Sequence, residues 1–303
     1  MNTTVGFKSG FIALVGRPNV GKSTLMNRMV GRKLAIMSDK PQTTRNKITA
    51  ILTTDEAQLV FIDTPGIHKP KHKLGEYMVN VARNALHEVD VILFLIEAQE
   101  KEMGPGDRYI IDALKQTKTP VLLVINKTDL VKGDELFPLI DKYRSMMEFR
   151  EVVPVSALEG ENVDTLIRLI SGLLPEGPMY YPDDMVTDQP EQAIIREIIR
   201  EKVLHLTREE IPHSVAVEIE EIQPRDNDLI YVRTVIFTEK ESQKGIIVGK
   251  NGTMLKKVGA MAREDIEKLL GSRVYLDLWV KVKKDWRNRD SILRNLGYDL
   301  KDK

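Results

Sequence analysis

The chain has no cysteine among its 303 residues, which excludes a disulfide framework and any thiolate metal site. It also lacks long apolar runs. The longest unbroken stretches are about as long as Val91–Ile96, far short of the ~20 residues that span a bilayer. Any membrane association is therefore expected to be peripheral. The N-terminus shows no charged-then-apolar leader pattern, and a reducing, cytoplasmic setting is the expectation. No internal repeat or low-complexity tract is visible, which excludes solenoid architectures. Net charge is zero and aromatics make up only 6%, so a uniformly polyanion-binding surface is excluded as well. What remains, 42% apolar and 30% charged, is ordinary globular composition with room for one to three domains.

The balanced charge hides an asymmetry. Residues 241–303 carry 15 Lys/Arg against 9 Asp/Glu, while the first 240 carry 30 against 36. A basic end suits a polyanionic partner, and it equally suits a merely solvated surface. The first 174 residues alternate strand and helix. Strands are expected at Phe11–Val15, Ile48–Thr53, Leu59–Ile62, Val89–Ile96, Val121–Ile125 and Val152–Val155, with helices such as Lys22–Val30 and Asp107–Gln116 between them. Fully apolar strands in such an alternation imply an α/β fold with a doubly wound, mostly parallel sheet. Residues 175–190, rich in Pro, Gly, Tyr and Asp, lack periodicity and read as a linker. Residues 191–303 read as a smaller α+β domain with a basic extension. Its expected order is helix Glu191–Leu206, strands Ser214–Glu220 and Leu229–Phe237, a short helix, helix Thr253–Leu270 and strand Val274–Val282. Met254, Val258, Met261, Ile266 and Leu269 are the expected apolar face of the longer helix.

Three segments carry chemistry, each at the end of an expected strand. Gly16-Arg17-Pro18-Asn19-Val20-Gly21-Lys22-Ser23, followed by Thr24, opens a helix directly after an apolar strand. Backbone N–H groups of such a loop converge on a diphosphate, and the helix adds its positive end. Lys22 is expected to reach the β- and γ-phosphates and Ser23 to ligate Mg²⁺. Asp63-Thr64-Pro65-Gly66 begins 47 residues after Gly16. Asp63 is assigned to the Mg²⁺ shell, and the N–H of Gly66 to sensing the γ-phosphate. Asn126-Lys127-Thr128-Asp129 starts 63 residues after Asp63. The Asp129 carboxylate accepts from both N1–H and the 2-amino group of guanine, an edge that adenine lacks. Asn126 and Lys127 hold the base and neighbouring loops, and Ser156-Ala157-Leu158 offers a backbone N–H to guanine O6. Within Pro41-Gln42-Thr43-Thr44-Arg45, Thr44, with Thr43 close behind, is the candidate to close over Mg²⁺ when γ-phosphate is present. A plain polar connection is the alternative reading of that loop. GTP binding, with Lys22, Thr44 and Gly66 serving hydrolysis, is the reading that joins these segments.

In Ras-type GTPases a glutamine after the Asp-x-x-Gly motif orients the attacking water. Here that position is Ile67, which can neither donate nor accept. His68 is the nearest titratable side chain and is expected to face solvent. Slow intrinsic turnover, raised by a partner or an ion, is the consequence.

These residues resemble the Era family of bacterial GTPases. The carriers are the loop at 16–23, Pro-Gln-Thr-Thr-Arg at 41–45, Asp-Thr-Pro-Gly-Ile-His at 63–68, Asn-Lys-Thr-Asp at 126–129, Ser-Ala-Leu at 156–158 and Gly-Lys-Asn-Gly at 249–252. The resemblance covers nearly the whole chain and implies a C-terminal type II KH domain. It implies that Asn19 ligates potassium beside the phosphates and so joins the catalytic group. It also implies that Gly249, Lys250, Asn251 and Gly252 clamp single-stranded RNA, as KH loops do. Taken alone, that tetrapeptide reads as an ordinary turn. The preceding Gly245–Val248, the amphipathic helix behind it and the order of elements favour the clamp. Lys256, Lys257, Lys281, Lys283, Lys284, Arg287 and Arg289 supply local positive charge, and Trp279 and Trp286 are stacking candidates, with Trp279 expected in the core. The implied partners are GTP and GDP, the unpaired 3′ end of 16S rRNA and the small ribosomal subunit, for a monomer acting in subunit assembly with peripheral membrane contact. Competing readings are a related GTPase acting on tRNA modification or the large subunit, and a non-catalytic RNA-binding protein with GTP as a structural ligand.

Overall fold

The computed structural model describes residues 6–298 except Asp39, Pro41, His68, Lys69, Lys71, Glu88, Lys101 and Glu210. Two positions weighed above, Pro41 and His68, therefore lie outside the described residues. The chain forms two compact units, one of Met1–Ala35, Thr44–Pro70 and Met78–Asp188, the other of Ile36–Thr43, Lys71–Tyr77 and Gln189–Lys303.

In the first unit, strands β1 (Lys8–Gly16), β2 (Ile48–Thr53), β3 (Ala57–Asp63), β4 (Val91–Glu97), β5 (Val121–Asn126) and β6 (Glu151–Pro154) form one sheet. Its order is β2-β3-β1-β4-β5-β6. Only β2 runs antiparallel to its neighbour, pairing with β3. The apolar runs of β4 and β5 are buried along their length because helices cover both faces. On one face α1 (Lys22–Val30) and α5 (Val163–Leu173) bring Leu25, Met26, Leu166 and Ile170 onto Ile12, Leu14 and Phe61. On the other, α2 (Lys73–Asn84), α3 (Pro105–Leu114) and α4 (Leu136–Arg144) bring Ala82, Ile110, Ile111, Leu139 and Tyr143 onto Val15, Phe94 and Leu123. Strand order reverses at β1, between β3 and β4, so the loop after β1 opens at the point where doubly wound sheets hold their ligands.

Within the expected linker 175–190, residues 175–188 are strapped to this unit. The Ser9 N–H donates to the Pro175 carbonyl (3.1 Å), Gly177 N–H to Phe7 (3.0 Å) and Ile51 N–H to Val186 (2.9 Å). Buried Gln58 accepts the N–H groups of Tyr180 (2.8 Å) and Tyr181 (3.0 Å) and donates to the Tyr181 carbonyl (2.9 Å). The strap supplies partners to edge strand β2, which would otherwise present bare backbone. Backbone bonding of this kind leaves no periodic trace in the sequence.

The second unit has α6 (Glu191–Leu206), α7 (Ile211–Ser214), β7 (Ala216–Arg225), β8 (Leu229–Thr238), α8 (Glu241–Val248), α9 (Thr253–Leu270), β9 (Arg273–Val282) and α10 (Asp290–Asn295). Its sheet runs β7-β8-β9, with β8 and β9 parallel. Ser214, expected to start a strand, ends the short α7. Leu269 is exposed; Val258, Ala262 and Ile266 form the buried stripe of α9. Alternation along β9 turns Val274 and Val280 inward and leaves Trp279 57% exposed, so the expectation that Trp279 is a core residue fails. Trp286 takes that role, fully buried with its Nε1 donating to the Ser214 carbonyl at 2.8 Å. Within the same unit α6 grips the Ile36–Thr43 segment: the Glu201 carboxylate accepts the Met37 N–H (3.0 Å), His205 Nε2 lies 2.8 Å from the Met37 carbonyl, and Arg200 donates to the Thr43 carbonyl.

Gln58→Ala removes the buried side chain that makes three half-buried hydrogen bonds to the strap. We expect a loss of about 1–3 kcal/mol, read as a lower midpoint in chemical denaturation. An unchanged midpoint would mean that the strap adds nothing to stability.

Candidate functional site

The phosphate loop leaves β1 at Gly16 and closes into α1 at Lys22. Gly21 sits at φ 96, and a Cβ there would strike the Asn126 carboxamide. Asn19, exposed, takes the left-handed φ of 69. The Lys22 amine folds back to donate to the carbonyls of Gly16 (3.1 Å) and Arg17 (2.9 Å). Burial pulls its pKa down to about 8, against the opposing pull of Asp63. Thr24, half-buried, lies in the first turn of α1.

Three oxygens converge behind that amine. The Ser23 hydroxyl donates to Asp63 Oδ2 at 2.5 Å, and the Thr44 hydroxyl to the same oxygen at 3.3 Å. Ser23 and Thr44 lie 3.0 Å apart. Asp63 is fully buried, and its other oxygen, Oδ1, has no hydrogen-bond partner. Burial pushes its carboxyl pKa up, opposed by Lys22, Ser23 and Thr44. A buried carboxylate with an unused oxygen beside two hydroxyls is a set of hard donors that fits Mg²⁺.

Thr64 anchors the next turn by donating to the Leu14 carbonyl at 2.8 Å. Gly66 then passes so close to the phosphate loop that a Cβ would lie 2.5 Å from the Pro18 nitrogen. The Ile67 N–H donates to the Gly16 carbonyl (3.3 Å), and its buried side chain packs in the core, facing Val15 and Ala82. Pro65 lies between these anchored residues.

Asn126 ties together the loops on the side expected to read the base. Its Nδ2 donates to the Val20 carbonyl (2.9 Å), and its Oδ1 accepts the Ala157 N–H (3.0 Å). The Ser156 hydroxyl donates to Asp129 Oδ1 at 2.6 Å, orienting a carboxylate that remains exposed to solvent. Lys127, at φ 66, pairs with Glu97 at 2.6 Å. Leu158 is exposed, and Arg28 donates to the Ala157 carbonyl at 3.2 Å. Glu97, which ends β4, and Arg28 had no motif to mark them in the sequence.

In the second unit, α8 and α9 are joined by Gly249-Lys250-Asn251-Gly252. Gly249 (φ 72) packs where a Cβ would lie 2.7 Å from that of Met254, and Asn251 takes φ 55. Lys250, Asn251, Lys256, Lys257 and Lys284 are exposed. Ile246, within the Gly245–Val248 run that precedes the loop, is 51% exposed. Lys283 lies over the Phe237 ring at 4.4 Å, while Lys281 pairs with Glu220 (3.2 Å) and Arg287 with Glu239.

Loops cross-linked in this way at the open end of a doubly wound sheet define a P-loop GTPase, here joined to a KH domain. Residues 11–127 match the 50S ribosome-binding GTPase family, and residues 210–287 match the KH domain family. The likeness runs beyond the separate domains. An Era solved in complex with MgGDPNP and nucleotides 1506–1542 of 16S ribosomal RNA is 45% identical, with 97% of this chain and 100% of that chain covered at a TM-score of 0.94. A point variant of Aquifex aeolicus Era bound to GDP and AlF₄⁻ is also 45% identical, with the same coverage and a TM-score of 0.94. The chain belongs to the Era family. Among its described residues, no helix is long and apolar enough to cross a membrane.

The low pKa of Lys22 gives a pH signature. If Lys22 holds the phosphates as the sequence implies, they favour the charged amine and its pKa rises above the free-protein value on binding. Affinity is then full below pH about 8 and falls as pH rises through that value. GDP should bind about tenfold more weakly at pH 9 than at pH 7, with proton uptake visible by calorimetry near pH 8.5. Absence of proton uptake would refute the assignment. Asp129→Asn should shift preference from GTP toward xanthosine triphosphate, and unchanged guanine selectivity in a competition assay would remove Asp129 as the base reader.

Proposed function

We propose that this chain is a GTP-switched RNA-binding factor acting on the 3′ end of 16S rRNA in small-subunit assembly. The observation that carries this is the likeness over 97% of the chain to an Era solved with both MgGDPNP and nucleotides of 16S rRNA. In this reading the Lys22 amine leaves the carbonyls of Gly16 and Arg17 and holds the β- and γ-phosphates. Ser23, Thr44 and Asp63 hold Mg²⁺, which neutralises charge on those phosphate oxygens. Thr44 reports the γ-phosphate because it reaches the cation only from the closed loop, and the N–H of Gly66 reads the same group. Asp129, oriented by Ser156, selects guanine. Ile67 offers no polar group to the attacking water. Asn19 stands at the loop's exposed apex, where a bound potassium would supply the charge stabilisation that an arginine gives elsewhere.

In the KH unit, the loop turns left-handed at Asn251 and Gly252, and Lys250 and Asn251 are exposed. Lys250, Lys256, Lys257, Lys283 and Lys284 supply phosphate contacts, and exposed Ile246 offers an apolar surface to a base. The reading locates the protein in the cytoplasm with the assembling subunit. A large-subunit role has one supporting observation, the description of the GTPase family matched by residues 11–127. It attaches to the GTPase half alone, whereas the likeness to Era spans both units.

Replacing Lys250 and Asn251 by Asp should weaken binding of a single-stranded 3′-terminal 16S oligonucleotide about tenfold or more at ~0.1 M salt, with GDP affinity unchanged. Equal losses of RNA and GDP binding would contradict the division of labour between the units. Tighter binding of a 23S fragment by the unaltered protein would favour the large-subunit reading.

A further inference from the structure

Arg17 belongs to the phosphate loop, yet its side chain turns away to α3. Its Nε donates to Asp107 Oδ1 at 3.0 Å, and its guanidinium also meets Glu100. Asp107 is fully buried in the first turn of α3. Burial pushes its carboxyl pKa up and Arg17 opposes that push. Tyr143 of α4, fully buried too, faces the same carboxylate, whose charge adds to burial in pushing the phenol upward. The segment Gly104-Pro105-Gly106-Asp107 is shaped around the arginine: a Cβ on Gly106 would lie 2.8 Å from Arg17 Cδ, and one on Gly104 would lie 3.4 Å from Nη1. A buried carboxylate is costly without its partner, so this pair is hard to exchange for another arrangement.

The other end of Arg17 is the loop itself. Its carbonyl accepts the Lys22 amine at 2.9 Å. The next residue, Pro18, is the one against which Gly66 packs, and Asn19 follows at its left-handed turn. We infer that Arg17 is a positioning residue for GTP hydrolysis: its ion pair with buried Asp107 fixes the front of the phosphate loop, and through that backbone the groups that meet the γ-phosphate. This rests on the reading of Gly16–Ser23 as the phosphate loop. Ground-state binding is spread over several N–H groups, whereas a displacement of about 1 Å can cost the chemical step as much as ~100-fold.

Arg17→Ala alone strands the Asp107 charge and can unfold the protein. The decisive variant is therefore the double substitution Arg17→Ala with Asp107→Asn, compared with Arg17→Lys. We expect kcat for GTP in the double variant to fall about tenfold or more, with fluorescent-GDP affinity within about threefold of the parent. Arg17→Lys, which keeps a point-charge ion pair, should recover part of the rate. Parental kcat in the double variant, a parallel fall of kcat and GDP affinity, or no recovery with lysine would each overturn the proposal. Failure of the parent protein to bind GDP would instead overturn the phosphate-loop reading beneath it.

Discussion

One side-chain amide holds the nucleotide cleft together. Asn126 donates to the loop after β1 and accepts from the loop after β6, while itself ending β5. Three loops from three strands are thus fixed to one another by two buried hydrogen bonds. Such bonds are worth little in water and much when their loss would leave a buried donor and acceptor bare. The absence of a Cβ at Gly21 is what lets the amide reach Val20. An aspartate at 126 could not donate, and an aliphatic residue could do neither.

Around that frame the cleft buries two opposite charges, Lys22 and Asp63, which offset each other only in part. Lys22 is buried and its amine is bound to carbonyl oxygens alone. Asp63 is buried with an oxygen unpaired. Burial moves the two pKa values in opposite senses, Lys22 down and Asp63 up, each toward its neutral form and so toward a group held charged at a cost. A polyanion for the amine and a divalent cation for the carboxylate remove that cost together, which is a physical reason for the two to bind as one complex. Arg17 and Asp107 differ in that the buried carboxylate already has a cationic partner, half-buried Arg17, which suits the pair to fixing geometry.

Much of this was legible in the sequence, and the reasons are local. Helices at Lys22–Val30, Glu191–Leu206 and Thr253–Leu270 have the bounds their residues imply, because loop glycines close the first and third and Pro190 precedes the second. The phosphate, Asp63 and Asn126 loops follow strands that announce themselves as apolar runs. What escaped was non-local. The strap at 175–188 is made by backbone bonds, Gln58 and the Thr187 hydroxyl, which donates to the Thr49 carbonyl. The partners of Arg17 lie 83 and 90 positions away in ordinary acidic residues. Trp279 and Trp286 exchanged places because alternation along β9, set by which residue pairs with β8, decides which face an aromatic takes.

A switch needs an element that both ligands bias. The Ile36–Thr43 segment clusters with the KH unit, gripped by Glu201, His205 and Arg200 of α6. Thr44, the next residue, lies with Ser23 and Asp63. The Thr43–Thr44 peptide has its carbonyl bonded by Arg200, while the Thr44 hydroxyl meets Asp63. Coupling between the two ligands, where it exists, has to be reciprocal: if GTP changes RNA affinity, RNA changes GTP affinity by the same factor. The direct test is the affinity for the 3′-terminal rRNA strand in the presence of GDP and of a non-hydrolysable GTP analogue. The account predicts different affinities in the two states, with a matching change in nucleotide affinity when RNA is bound. Equal affinities would contradict it.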